Sequence, residues 1–150
     1  FMNKSSTEIL IFRISVAVLA VTGLGQMPLY KRYYVADIPG LGFLADFYLL
    51  HWVHYVAAAV FLFLLLQWAA MKAALYFRQG RRPTPGELFL VPILTVLVAT
   101  GFLRVLKNFP SIAVSPSEAM FADIVHLVAA VFFGLTSLVL AVLRRRQARA

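Results

Sequence analysis

Four apolar runs of about twenty residues, split by short polar segments, constrain this chain more than any other feature in it. They are expected at about 9–27, 47–71, 88–106 and 119–143. At ~1.5 Å of rise per residue, a helix of about twenty residues crosses the ~30 Å hydrocarbon core of a bilayer. Inside lipid every backbone N–H and C=O must be paired within the structure, and for isolated apolar runs of this length the helix does that. Composition agrees. The chain is 62% hydrophobic and 13% charged, with a mean hydropathy of +0.85, whereas soluble domains are about half apolar and a quarter charged. The expected fold is all-α and integral to a membrane: one four-transmembrane-helix bundle over residues 1–150, with no separate soluble domain. The first run is too long for the apolar stretch of a signal peptide and is followed by further runs, so it is expected to remain as a span.

The polar segments set the expected orientation. Lys4, Arg13, Lys72, Arg78, Arg81, Arg82, Arg144, Arg145, Arg146 and Arg149 fall on one side, and Lys31, Arg32, Arg104 and Lys107 on the other. Excess Lys and Arg mark the cytoplasmic side, so both termini are expected there. The protein is then expected in a bacterial cytoplasmic (inner) membrane, with Asp37, Asp46, Glu118 and Asp123 toward the periplasm. The net charge of +8 flanks apolar spans, so it reads as a topology signal for the lipid bilayer and not as a nucleic-acid surface. The absence of cysteine removes disulfides, zinc–thiolate sites, thiolate-held iron–sulfur clusters and covalent haem attachment through C-x-x-C-H.

Ionisable groups inside a span are costly and by default mark function. The chain has three histidines, His51, His54 and His126. The residues after His54 (Tyr-Val-Ala-Ala-Ala-Val-Phe) resemble those after His126 (Leu-Val-Ala-Ala-Val-Phe-Phe). From Lys72 back to His54 is 18 residues, as it is from Arg144 back to His126. At ~1.5 Å per residue both imidazoles stand roughly 27 Å from the inner basic anchors. Spans two and four run in the same sense, so their histidines are expected at equal depth, near the outer face. A second ruler, from Ala45-Asp46 and Ala122-Asp123, favours His51 instead, and His51 stays the alternative to His54. A fainter repeat pairs Thr22-Gly23 in span one with Thr100-Gly101 in span three.

Two imidazoles make a poor closed site for zinc, which takes four ligands. A haem brings four equatorial nitrogens and asks only for axial ones. One haem b, held by His54 and His126, is therefore the expected cofactor. The small residues Ala57 to Ala59, Ala129, Ala130 and Gly134 would leave room for a flat ring. Gly23 and Gly101 could let its edge near the backbone, and Arg104, Lys107, Lys31 and Arg32 could meet the propionates. Blander readings stand beside these. A single interfacial histidine can serve only as a hydrogen-bonded link between helices, and Thr-Gly pairs are commonly plain helix-crossing contacts. The matched histidine pair is what favours the cofactor.

Arg13 and Thr22-Gly23 in span one, His54 (or His51) in span two and His126 early in span four together resemble a known family. It is the cytochrome b (gamma) subunit of membrane-bound formate dehydrogenases, with the related b-type cytochromes of hydrogenases and thiosulfate reductases. The resemblance implies four core helices and, in two-haem members, an outer haem on the span-two and early span-four histidines. It also implies an inner haem on a span-one histidine and a later span-four one. Here Ile14-Ser15-Val16-Ala17 holds no histidine and the later position falls near Leu140, so the outer haem alone is implied. The implied role is electron transfer between an extracytoplasmic iron–sulfur or cytochrome subunit of a membrane oxidoreductase and the quinone pool. No substrate-converting site is expected in the subunit itself. The alternative is a haem-free anchor or assembly subunit of such a complex.

Overall fold

Helix ends follow local caps. The computed structural model describes residues 6–27, 34, 37–80 and 82–147. Among the described residues there are four α-helices: α1 Ser6–Gly25, α2 Phe47–Gln79, α3 Pro85–Leu106 and α4 Pro116–Gln147, with a 3-10 turn at Gly42–Ala45 before α2. Asp46 caps α2 by accepting from the Leu49 N–H at 3.0 Å. Gly80, in the left-handed region at φ 60°, ends that helix, a conformation that suits a residue without Cβ. Thr84 and Glu87 form a reciprocal capping box at the start of α3. Ser115 and Glu118 do the same for α4, with the Ser115 N–H to Glu118 Oε2 at 2.8 Å and the Glu118 N–H to Ser115 Oγ at 3.3 Å.

All four expected spans are helical, and each helix is long and apolar enough to cross a membrane. The boundaries differ. Helix α1 stops at Gly25, short of the expected Met27, while α3 and α4 each begin three residues early. Those early starts come from the caps, which extend a helix past its apolar stretch. Helix α2 runs 33 residues, so at ~1.5 Å per residue it outreaches a ~30 Å core. Its surplus carries Lys72 and Arg78 out of the apolar zone.

The chain divides into two compact units, residues 1–81 and 82–150. In the first, α1 packs antiparallel on α2, with Phe12 stacked on Phe61 at 5.5 Å between ring centroids. Gly25 lets the 3-10 turn close under the end of α1. A Cβ there would stand 2.6 Å from Leu50 Cδ1 and 3.2 Å from Leu44 Cδ2, so no larger residue fits as the chain lies. In the second unit α3 packs antiparallel on α4, with Gly86 against Leu140. Buried stripes run along the histidine-bearing helices: Leu50, Ala57 and Phe61 on α2, Ala122 and Ala129 on α4. Most other large apolar side chains face outward, including Phe63, Leu66, Phe89 and Phe121. Only 6–17% of each helix's most apolar window is buried within the protein. An apolar surface of that extent suits lipid rather than water.

Candidate functional site

Within each unit the plain helix offers a Thr-Gly notch, and the next helix lays a histidine in it. In the first, Thr22 is buried on α1 and its Oγ1 lies 2.8 Å from His54 Nδ1 on α2. In the second, Thr100 is buried on α3 and its Oγ1 lies 3.1 Å from His126 Nδ1 on α4. Each threonine also donates its hydroxyl proton back along its own helix, to Val18 O at 2.7 Å and Val96 O at 2.7 Å. That is the usual i−4 bond of a mid-helix threonine. The glycine beside each threonine makes room for the ring. A Cβ at Gly23 would stand 3.5 Å from His54 Cε1, and one at Gly101 3.2 Å from His126 Cε1. Both histidines are half-buried.

This pairing decides which histidine of α2 matches His126. His54 has the same neighbours through the same atoms; His51 does not. His51 lies one turn outward, its Nδ1 3.3 Å from Gln26 Oε1 and its ring 4.2 Å from that of Tyr55, with Phe47 stacked at 5.5 Å. Gln26 Nε2 donates to Thr22 O at 3.2 Å, which turns Oε1 toward His51 as an acceptor. The structural counterpart of His51 is Asp123, three residues before His126. The two aspartates of the Ala-Asp ruler are not structurally equivalent: Asp46 caps α2, whereas Asp123 lies within α4.

Asp123 holds two of the four cations expected to meet the propionates. Arg104 Nε lies 2.7 Å from Asp123 Oδ1, though its N–H is not aligned for a hydrogen bond. Lys107 Nζ donates to both carboxylate oxygens at 3.0 and 3.1 Å. One turn outside each threonine–histidine contact, then, sits a polar pair: Gln26–His51 in one unit and Arg104–Asp123 in the other. Gln26 was not singled out from the sequence, although it follows Thr22 by the same four residues that separate Arg104 from Thr100. Lys31 and Arg32 lie outside the described residues.

What lies over Gly23 and Gly101 is therefore an imidazole. Each ring keeps one nitrogen off its notch. Their Cε1–Nδ1 edges face the notches, and Nε2, the nitrogen a metal could take, is not part of that edge. A closed protein-only metal centre would need more: among the described residues no three His, Cys, Asp or Glu side chains cluster. Ala57 and Ala129 lie one turn inward of the two histidines and are both buried. The chain matches no family model, no curated protein and no solved structure, so the reading of this site rests on its own residues.

Proposed function

We propose that this chain is a membrane b-type cytochrome subunit in which His54 and His126 would hold one haem b. It passes electrons between an extracytoplasmic redox subunit and the quinone pool, with both termini on the cytoplasmic side of a bacterial inner membrane. The observation that supports this best is the duplicated notch: two histidines held by the same threonine and glycine contacts in two separate helix pairs. Haem supplies one-electron chemistry when bound. The chain's own residues orient the ligands, exclude water with apolar helices and bring the cations Arg104 and Lys107 to the outer side. Resemblance to the cytochrome b subunits of formate dehydrogenases and their relatives supports the same assignment. The absorption spectrum of the purified, dithionite-reduced protein tests it. A b-type α-band is expected, and it should vanish in His126→Ala. An intact, helical protein without the band overturns the reading.

One observation favours a second reading. A threonine–histidine hydrogen bond between helices is also what a purely structural histidine makes. In that case the chain is a haem-free anchor of an oxidoreductase complex. Replacing His54 and His126 together would then leave the activity of the assembled complex unchanged.

A further inference from the structure

We propose that Thr22 and Thr100 are positioning residues that fix the tautomers of His54 and His126, so that Nε2 is the lone-pair nitrogen of both rings. This rests on the haem reading above. Each hydroxyl has one proton, and each threonine lies 2.7 Å from a backbone carbonyl of its own helix, Val18 O or Val96 O. A carbonyl can only accept, so the hydroxyl proton goes to it. The threonine oxygen therefore faces the ring as an acceptor, and the contacts of 2.8 and 3.1 Å require Nδ1–H on His54 and His126. A neutral imidazole protonated at Nδ1 carries its lone pair at Nε2. The chain ring–hydroxyl–carbonyl occurs twice, on different helices, with the same atoms.

An acceptor on Nδ1–H makes the opposite nitrogen a stronger donor. A more basic axial imidazole favours ferric over ferrous iron and lowers the reduction potential. Thr22→Val and Thr100→Val keep the side-chain shape and remove the acceptor. Each is expected to weaken haem retention by about 10- to 100-fold, the usual effect of losing an outer-sphere partner of a ligating histidine. Where the loss falls on the ferric state, the midpoint rises by ~59 mV per tenfold. Thr22→Ser and Thr100→Ser keep the hydroxyl and should restore both properties.

The test uses the full chain in detergent, ¹⁵N-labelled at histidine, with nitrogen–proton correlation spectra before haem addition and redox titration after it. Nδ1–H on His54 and His126 in the haem-free wild type is expected, and Nε2–H on both rings overturns the inference even if the valine variants fail to fold. A valine variant that binds haem with unchanged midpoint and retention also overturns it. The expected tautomers in a protein that never shows an α-band overturn the haem reading, and the positioning role with it.

Discussion

Gly23 and Gly101 look alike in the sequence, but a methyl group at each meets different resistance. At Gly23 the nearest atom, His54 Cε1, would be at ordinary contact distance, 3.5 Å; at Gly101 His126 Cε1 would be at 3.2 Å. Alanine raises helix propensity by about 0.8–1.0 kcal/mol over glycine, while overfilling a tight contact costs about 1–3 kcal/mol. Gly23→Ala should therefore leave thermal stability in detergent unchanged or raised, and Gly101→Ala should lower it relative to Gly23→Ala. Equal midpoints in thermal unfolding would show that the His126 ring can yield without cost. The two α2 histidines separate as clearly. His54→Ala removes the ring from the Thr22 notch, whereas His51→Ala removes only the partner of Gln26. On the haem assignment the α-band is lost in the first and kept in the second; the opposite pattern would make His51 the ligand. The sequence contained all of these residues, yet Thr22-Gly23 and Thr100-Gly101 read there either as helix-crossing contacts or, through Gly23 and Gly101, as room for the edge of a haem. They are crossings, and the side chain that crosses is the histidine. Side-chain direction across a helix pair cannot be read from one strand of residues.

At the scale of helices, the two hairpins repeat more closely than a single sequence offset reveals. Thr22 to Thr100 is 78 positions and His54 to His126 is 72, because the connection inside the second hairpin is shorter. A comparison at one offset therefore aligns the histidines or the threonines, never both. With each helix given its own offset, Gln26 falls on Arg104 and His51 on Asp123. The spans themselves were legible because hydropathy alone marks them. Their ends were less so, since Thr84 and Ser115 extend helices by hydrogen bonding beyond the apolar run. The polar pairs beside the notches also distinguish the hairpins: one sets an amide against an imidazole, the other carries two cations and one carboxylate. Asp123 is two-fifths exposed, and surface pairs contribute only about 0–1 kcal/mol each. Asp123→Asn should thus fold with little loss of stability. It leaves Arg104 and Lys107 without their carboxylate one turn from His126, so on the proposed assignment the haem midpoint should rise. The rise should shrink as salt is added, since screening weakens the added charge. A midpoint that does not move in redox titration would show that this cluster does not sense the cofactor.

For the whole molecule the decisive property is how little of it is buried. Among the described residues no large side chain is fully enclosed, and outward faces of all four helices carry aromatic and aliphatic residues. A surface of this kind suits lipid, and in a membrane the distribution of lysine and arginine sets which way the chain lies. That orientation fixes which partner can reach the histidines. Both sit toward the ends of α2 and α4 that lie opposite Lys72 and Arg78 and opposite the arginine run 144–146. If those bases are cytoplasmic, the histidines face the periplasmic side and only an extracytoplasmic redox partner is close. The chain has no cysteine, so single cysteines introduced at exposed positions report the side without background. Gln79, at the end of α2, and Ser111, in the turn between α3 and α4, are both exposed. With a membrane-impermeant maleimide on intact spheroplasts, Ser111→Cys should label at once, and Gln79→Cys only after the membrane is opened. The converse pattern would place the histidines near the cytoplasmic face. The electron partner would then have to be a cytoplasmic subunit, and the resemblance to outer-haem cytochromes would lose its basis.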